Sequence, residues 1–410
     1  MTSFPLPLTE LFGQYGSYFV YLLVGLAFGA TLETAGFGNS KKLAAQFYFK
    51  DLTVFKVMFT AIIVAMTLVF LSSAIGLLDY NLVWVPPTYL WPGIVGGLIM
   101  GVGFIVGGFC PGTSLVAMAT GKIDGVFFVL GVLSGIFLFG ETVSHFAVFF
   151  ESSFMGRFTL PELFGLDYGV VVVAVVVMAL LMFWGAEKIE ASVGGETARQ
   201  APRFAVPAAG ELVALAVVSL VIGQPDNQRR WQMIEDEQTV LLNERAVQIE
   251  PAELLSLVHD SQIKAVMLDV RDERHYNQFH ILGARRLKLE DLPVVSEALL
   301  QEPANTVFIT MGNDESAATE AWKMLKAQSV PNVYILAGGV NNWIRTYSDE
   351  SFRNERLMRN RQNDQPAYRF DTAIGARHPA AEPNPEAHEI EFEPKVKLEL
   401  KRAPTSGGCG

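Results

Sequence analysis

The sequence is poor in cysteine and has no clustered histidine. Its 410 residues include two cysteines, Cys110 and Cys409, and six scattered histidines. Two cysteines exclude a disulfide scaffold and a cysteine-rich metal site. Because the histidines also lack ligand spacing, we expect neither a metal nor another cofactor. The net charge of −11 argues against nucleic acid as a partner, since nucleic-acid binding normally requires a basic surface.

Charged residues are scarce in the first half of the chain. Residues 1–225 contain 9 Lys and Arg and 13 Asp and Glu, whereas residues 226–410 contain 22 and 29. The first part is too apolar for an ordinary soluble domain and the second too charged for a membrane bundle, which excludes a single soluble enzyme. The N-terminus lacks the basic, apolar and cleavage pattern of a signal peptide, so we expect the first apolar segment to be retained.

Apolar runs in the first half are long enough to cross a membrane, which takes roughly 20 residues for about 30 Å of hydrocarbon. Two shorter pieces, 40–49 and 114–121, are either half-helices that enter the membrane or ordinary connectors. The distribution of Lys and Arg in short loops places both termini outside, although Arg229 and Arg230 argue mildly against this orientation. The six predicted spans lie near residues 17–35, 52–78, 90–109, 124–143, 168–186 and 205–223.

Segments 25–57 and 97–129 form an internal repeat at an offset of 72 residues. Eleven positions are identical, including a lysine and the Gly-Phe corners at 36–37 and 108–109. Internal repeats that pack helices around a site near the bilayer midplane are a common transporter design. The pattern predicts a multi-span α-helical transport domain over residues 1–225.

Each repeat contains a polar helix break that is suited to binding an anion. Pro and Gly end the incoming helix, a polar side chain caps the next one, and the new helix presents partially positive amides. We expect Thr113 or Ser114 to be the cap in the second repeat, and Asn39 or Ser40 in the first. The predicted anion-binding residues are Gly38, Asn39, Ser40, Cys110, Pro111, Gly112, Thr113 and Ser114.

Two residues near these breaks have alternative interpretations. Cys110 would place a soft thiol on the anion site, but most lone membrane cysteines are small buried residues. Glu33 lies inside a predicted span, where ionisable residues are functional candidates, and an interfacial position is equally consistent with the sequence.

Residues 17–143 resemble the YeeE/YedE sulfur-transport family in three motifs. These are Gly-Phe-Gly-Asn-Ser-Lys-Lys-Leu, Gln-Phe-Tyr-Phe-Lys-Asp and Gly-Phe-Cys-Pro-Gly-Thr-Ser. The resemblance implies a bacterial inner-membrane protein that takes up thiosulfate through membrane cysteines, of which Cys110 is the matching one. The chain departs from that pattern at Gly38, where a second cysteine would serve a relay. It therefore passes the anion differently, acts as a homo-oligomer, or does not transport.

Beyond residue 226, short apolar strands alternate with helical stretches, which predicts an α/β domain with a parallel sheet. The domain is expected over 240–350, followed at 351–410 by a linker, a short strand near 388–400 and a small-residue tail. The predicted sheet strands are 246–249, 266–268, 307–310 and 333–335.

Residues 246–347 resemble a rhodanese domain, with Leu-Asp-Val-Arg at 268–271 and Leu-Ala-Gly-Gly at 336–339. The resemblance implies a catalytic cysteine where this chain has Thr310 and an arginine where it has Glu315. A hydroxyl cannot carry a persulfide, and a carboxylate repels an anionic donor. We therefore expect the degenerate loop, Thr310, Glu315 and Ser316, to lack sulfurtransferase activity and the domain to serve docking, sensing or structure.

The C-terminal Ser-Gly-Gly-Cys-Gly resembles the Gly-Gly-Cys-Gly arm of the carrier protein of the periplasmic thiosulfate-oxidising (Sox) system, which implies a sulfur carrier at Cys409. A flexible glycine arm lets a thiol reach several partner sites, and the alternative is an incidental cysteine on a disordered tail. Three hypotheses follow. They are a thiosulfate or sulfur-anion transporter embedded in lipid, a membrane sensor of sulfur oxidation, and a relay protein that contacts sulfur-oxidation or sulfur-relay partners.

Overall fold

The computed structural model describes residues 4–83, 85–193, 205–358, 362–388 and 390–399. Within these residues the chain divides into two compact units, the first ending at Gln224 and the second beginning at Pro225. Below they are called the membrane unit and the soluble unit, and each is described by itself.

The membrane unit is helical throughout its described residues, apart from the turns and loops that join its helices. Strongly apolar sequences with few charges favour helices here, because a helix satisfies its own backbone polar groups. The helices are α1 Leu8–Thr34, α2 Ser40–Ala45, α3 Thr53–Ala74, α4 Leu90–Gly107, α5 Pro111–Ala119, α6 Ile123–Thr142, α7 Ala147–Phe150, α8 Leu160–Phe164, α9 Tyr168–Val193 and α10 Ala205–Ile222.

Five segments of the described chain are long and apolar enough to cross a bilayer. The described residues contain a sixth candidate span only if two helices that are bent by 82° relative to each other, Val206–Ile222 and Asn227–Asn243, are counted as one. The piece predicted near 114–121 belongs to one apolar stretch with α4 and is therefore not a separate span. The five segments are Leu11–Thr34, Thr53–Ala74, Leu90–Ala119, Ile123–Phe150 and Tyr168–Val193.

Helices α3, α9 and α10 pack around a small apolar core. Its buried side chains are Ile63, Val172, Val176, Ala179 and Ala216. Most large apolar side chains of the membrane unit point away from this core and are exposed, as expected for helices whose outer surface faces lipid.

The soluble unit is built on a five-stranded sheet in which every strand pair is parallel. The strand order is β1-β5-β4-β2-β3, and the continuous apolar runs at β2, β4 and β5 are typical of strands buried on both faces. The strands are β1 Gln248–Ile249, β2 Lys264–Asp269, β3 Arg285–Arg286, β4 Thr306–Met311 and β5 Val333–Leu336.

Helices join and cover these strands, and the main apolar core of the soluble unit lies between helices and sheet. Trp322 and Trp343 are among the largest fully buried side chains of the chain. The helices are α11 Asn227–Asn243, α12 Pro251–His259, α13 Glu273–Gln278, α14 Leu292–Leu300, α15 Ser316–Ala327, α16 Gly339–Tyr347 and α17 Glu350–Arg356.

Part of the region that the sequence predicts as a linker contributes instead to the apolar core of the soluble unit. Ala367, Tyr368, Ala380 and Ala381 are buried there, and the indole of Trp343 donates to the carbonyl of Ala380 at 2.7 Å. Scattered small and aromatic residues rather than a periodic pattern make these contacts, which is why the segment resembles a linker in sequence.

The strand predicted near 388–400 is absent from the described residues 390–399. The backbone amides of this segment donate to side chains rather than to a neighbouring strand. The Glu253 carboxylate accepts the amides of Lys395 and Val396 at 2.7 and 2.8 Å, and the Asn332 side chain accepts the amide of Glu399 at 2.8 Å. The alternating sequence therefore lies along the domain as an extended segment.

Candidate functional site

The two helix breaks of the membrane unit pack against each other. Gly108 ends α4 in the left-handed conformation, with φ of 72°. A Cβ at this position would lie 3.0 Å from Cβ and 3.2 Å from the carbonyl oxygen of Ser40. Glycine at 108 therefore provides both the turn and the close approach of the first break.

Cys110, and not Thr113 or Ser114, caps helix α5. Its backbone is extended (φ −95°, ψ 166°) and its Sγ accepts the amide of Thr113, whose hydroxyl in turn accepts the amide of Cys110 at 3.0 Å. The predicted cap was wrong because Pro111 occupies the first helical position. Proline forces the preceding residue out of the helical region and so makes that residue the cap.

The thiol of Cys110 is half-buried and has polar neighbours. Its Sγ lies 3.3 Å from the Thr113 hydroxyl and 3.5 Å from the Thr113 amide. Thr113 and Ser114 are buried, Gly112 is half-buried and Pro111 is exposed, and the Ser114 hydroxyl donates back to the carbonyl of Pro111 at 2.8 Å.

In the first break, Asn39 is the cap, as one of the two predicted alternatives. Its side chain accepts the amide of Lys41 at 3.1 Å. Ser40 instead begins α2, and its hydroxyl lies 3.4 Å from a carboxylate oxygen of Asp124 at the start of α6. The side chain of Ser40 therefore joins the first break to the second repeat.

An ion pair between Glu33 and Lys122 lies beside the first break, next to Gly38. The Lys122 Nζ lies 3.4 Å from the Glu33 Oε1, and both side chains are about 40% exposed (39% and 41%). A Cβ at Gly38 would lie 2.5 Å from the Glu33 Oε2 and 2.8 Å from the Lys122 Nζ. The lack of a side chain at 38 thus leaves the space that this pair occupies.

An apolar cluster lies beside both breaks. The Gly-Phe corners contribute Phe37 and Phe109, both nearly fully buried, and the Phe109 ring packs edge-on against Phe128 at 5.8 Å. Such packing fixes the backbone that presents Cys110 and Gly38. The other buried members are Leu43, Val54 and Ala117.

In the soluble unit, the Thr310 side chain is fully buried within β4. Its hydroxyl lies 3.0 Å from the carbonyl oxygen of Ala318 and 3.2 Å from that of Tyr334. These contacts hold it between β5 and α15. At the position where the resemblance implies a nucleophile, the structure therefore has a core hydroxyl occupied by backbone carbonyls.

Glu315 is fixed by two partners just before α15. One carboxylate oxygen accepts the amide of Gly338 at 2.7 Å and forms an ion pair with Arg245 at 2.8 Å. The hydrogen bond that the Arg245 guanidinium donates to Glu315 raises the pKa of Arg245 above its ordinary value. Ser316 is exposed, and its amide donates to the Asp314 side chain at 2.8 Å.

The amides of Asn313 and Asp314, in the loop after β4, donate to one oxygen of the Asp364 carboxylate. The two N···O distances are 2.9 and 3.3 Å. This loop binds a carboxylate from the region predicted as a linker. Asp364 was not among the residues predicted from the sequence, and no motif around it distinguishes it.

Two regions of the chain match known families. Residues 34–224 match the family model described as sulphur transport, and residues 250–346 match the model described as rhodanese-like domain. The chain is a sulphur transport domain fused to a rhodanese-like domain. Among curated proteins, none matches the chain. The transport domain with its apolar helices identifies a multi-pass membrane protein, and a sulfur anion is the substrate class that this domain indicates.

The structure of the sulphur transport domain also brings to the first break two polar residues that were not predicted from the sequence. Lys122 and Asp124 lie at the turn between α5 and α6 and contact the first break. Lys122 is the lysine shared by the two repeats, at the position equivalent to Lys50. This identity was the sequence signal that could have marked Lys122 as a candidate site residue. Cys409 lies outside the described residues. Within the described ranges, no cluster of three or more His, Cys, Asp and Glu side chains is arranged to hold a metal.

Proposed function

We propose that the sulphur transport domain moves thiosulfate, or a closely related sulfur anion, across the bacterial inner membrane. The observation that carries the proposal is the half-buried thiol of Cys110 at the start of α5, within the region that matches sulphur transport. A helix N-terminus attracts an anion, and the sulfur of Cys110 offers a soft contact to the terminal sulfur of thiosulfate.

Lys122 supplies positive charge to the same site. Its ammonium pairs with Glu33 at 3.4 Å, while the Glu33 Oε2 is buried and has no hydrogen-bond partner among the described residues. A pair held by one long contact is readily rearranged, because little interaction energy is lost when the partners separate. In this proposal an entering anion competes with Glu33 for Lys122.

The proposal assigns no sulfurtransferase activity to the rhodanese-like domain. Thr310 is buried with its hydroxyl against two carbonyls, Glu315 is bound to Arg245 and the Gly338 amide, and the loop amides hold Asp364. Each of these contacts occupies a group that a sulfurtransferase would need free for its substrate. The domain then serves docking, with the C-terminal unit on the periplasmic side.

Uptake of radiolabelled thiosulfate into proteoliposomes containing the full chain tests the transport proposal. Cys110→Ala should lower the initial rate by at least about tenfold, as expected when a group that contacts the substrate is removed. Cys409→Ala is the matched control and should transport like the wild type. Uptake by Cys110→Ala at the wild-type rate would overturn the assigned site, and the absence of uptake by the wild type would overturn the function.

The side of the membrane on which the rhodanese-like domain lies is tested independently of transport. A reporter that is active only in the periplasm, fused after residue 410, should be active, whereas a fusion of a cytoplasmic reporter should be silent. The opposite pattern would place the rhodanese-like domain in the cytoplasm and contradict this part of the proposal.

A further inference from the structure

The two predicted repeats, residues 25–57 and 97–129, can be compared position by position in the structure. In each of them a left-handed glycine lies at the end of a long helix, Gly36 with φ of 81° and Gly108 with φ of 72°. A short helix follows, α2 in the first repeat and α5 in the second, and then a long apolar helix, α3 or α6. Equivalent positions of the two repeats therefore lie in equivalent elements.

The turn after each short helix presents a lysine in the same way. The amide of Lys50 donates to the carbonyl of Ala45 at 3.3 Å, and the amide of Lys122 donates to that of Ala117 at 3.0 Å. The residue before each lysine is left-handed, with φ of 55° at position 49 and 75° at position 121. The two lysine side chains therefore start from equivalent backbone positions.

The two repeats also pack against each other reciprocally. Helix α1 contacts α5, and α2 contacts α4. From the second repeat, Lys122 reaches Glu33 at the end of α1. From the first repeat, the ring of Phe47 packs edge-on against Phe104 near the end of α4, with 5.2 Å between the ring centroids. Each lysine-bearing turn consequently lies beside the helix that ends at the break of the other repeat.

This reciprocity relates Lys50 to Cys110. The Lys122 Nζ lies 2.8 Å from the Cβ that a side chain at Gly38 would have. Lys50 is equivalent to Lys122, and Cys110 is equivalent to Gly38, both at the offset of 72 positions. In transporters built from inverted repeats, a contact in one direction recurs in the other. The same arrangement would therefore bring the Lys50 ammonium to the side chain of Cys110.

The two half-sites differ in charge. Lys122 is paired with Glu33, whereas the position equivalent to Glu33 is Ile105, which has no charge to offer Lys50. The carboxylate of the neighbouring Asp51 accepts the amide two positions further on at 2.9 Å. An ammonium that no carboxylate neutralises attracts an anion more strongly than a paired one. The half-site of Lys50 thus has an available positive charge.

We propose that Lys50 and Cys110 together bind the sulfur oxyanion, with the ammonium on its oxygens and the thiol on its terminal sulfur. The anion reaches this half-site first and only then competes with Glu33 for Lys122. The two repeats thereby form one asymmetric anion site instead of two equal ones. No covalent bond forms or breaks in this step. The class of anion rests on the proposed function, whereas the part taken by Lys50 goes beyond it.

Protection of Cys110 from a maleimide tests anion binding without requiring transport. The full chain carries Cys409→Ala, so that the reagent reports on Cys110. Thiosulfate should slow the reaction, and Lys50→Met should raise the thiosulfate concentration for half-protection by about tenfold, as expected when one contact to a charged group is lost. Lys50→Arg keeps the charge and should be protected like the parent. Lys188→Met, which removes an exposed lysine over the Trp184 ring, is the matched control and should also be protected like the parent.

Cross-linking tests the placement of Lys50 without any anion. In the Cys409→Ala background, a phenylene bismaleimide should join Lys50→Cys to Cys110, and mass spectrometry should detect the joined peptides. Lys188→Cys is the control and should not be joined to Cys110. Elution of each variant as the parent does in size-exclusion chromatography shows that it is folded. Absence of the cross-link in folded Lys50→Cys would overturn the placement.

The outcomes distinguish this proposal from the transport function. Protection of Cys110 in a chain that takes up no thiosulfate would overturn transport and support the anion site. Uptake by the wild type, combined with equal protection of the parent and Lys50→Met, would support transport and overturn the part assigned to Lys50. A parent chain whose Cys110 thiosulfate does not protect at all would overturn the anion site itself.

Discussion

The carboxylate of Glu33 and the ammonium of Lys122 lie 3.4 Å apart, beside the backbone of Gly38. The pair joins the end of α1 to the turn between α5 and α6, so it links the two repeats predicted from the sequence. A side chain at 38 would displace both charged groups, because its Cβ would lie 2.5 Å from the Glu33 Oε2 and 2.8 Å from the Lys122 Nζ.

Gly38→Ala should leave the protein folded and reduce thiosulfate uptake several-fold. The atoms that a Cβ would meet are the ends of two flexible side chains, so the pair is displaced and the backbone is retained. Gly29→Ala, at a position with no atoms within 4 Å of the added Cβ, is the matched control and should behave as wild type. Equal uptake by both variants would argue against a role for the pair.

Thr113→Val should weaken both the helix start and the thiol contact at Cys110. The Thr113 hydroxyl accepts the Cys110 amide and lies 3.3 Å from its Sγ, and loss of such a capping interaction costs about 1 kcal/mol. The thermal unfolding temperature and the initial rate of thiosulfate uptake should both decrease. Thr113→Ser keeps the hydroxyl and should retain both, and a Val variant as active as the Ser variant would contradict the expectation.

The pair between Lys56 and Glu190 should stabilise the membrane unit. Its N···O distance is 2.6 Å, Glu190 is nearly buried, and the same carboxylate accepts the amide of Leu52. Removing one partner leaves the Glu190 carboxylate with little water around it, so we expect Lys56→Met to destabilise the unit by about 1–3 kcal/mol. Denaturation in mixed detergent measures this, with Lys188→Met as the control, since Lys188 lies over the Trp184 ring. An equal effect of the two variants would contradict the assignment.

Thr310→Cys should not create a reactive thiol. The side chain is fully buried between β5 and α15, and burial in apolar surroundings suppresses thiolate formation. In a background of Cys110→Ala and Cys409→Ala, a maleimide should label the exposed position in Ser316→Cys and leave Thr310→Cys unlabelled. Rapid labelling at 310, or thiosulfate–cyanide sulfurtransferase activity of that variant, would show that the loop is still competent.

The stability of the soluble unit should fall as the pH is lowered below about 6.5. Burial lowers the pKa of His378 beneath its ordinary value of 6.5, against the opposing effect of Asp349, and its ring accepts the Ala380 amide among the rings of Phe279, Phe352 and Phe370. The unfolded chain therefore binds the proton more tightly, and the stabilisation present above the unfolded pKa is lost as the pH falls from that value through the lowered one.

Hydrogen exchange of β4 peptides in the full chain, measured across this pH range, checks the dependence after correction for the intrinsic exchange rate. His378→Asn should flatten the curve, since asparagine can accept the Ala380 amide but does not titrate. An unchanged slope in this variant would assign the pH dependence to other groups.

Strands β2, β4 and β5 could be predicted from the sequence because each contains a continuous apolar run. β3 was missed because it consists of two arginines, Arg285 and Arg286, whose place in the sheet depends on pairing with Leu268 and Asp269. That pairing is a tertiary property, and neither the composition nor the periodicity of β3 indicates it.

At the candidate site, the sequence located both helix breaks, because proline and glycine determine local backbone conformation. It missed Lys122 and Asp124 as partners of the first break, since these contacts join residues 84 and 89 positions apart. It also missed Asp364, which is 50 and 51 positions from the amides it binds. Contacts of this kind depend on the packed fold, and no spacing rule connects their members.

The side-chain anchors of residues 395–399 hold an extended segment that has no neighbouring strand within the described residues. The Glu253 carboxylate accepts the amides of Lys395 and Val396, and the Asn332 side chain accepts the amide of Glu399. Each anchor depends on a single side chain, so a substitution at Glu253 or at Asn332 alone would release part of the segment. A strand that is paired through its backbone has no such dependence on single residues.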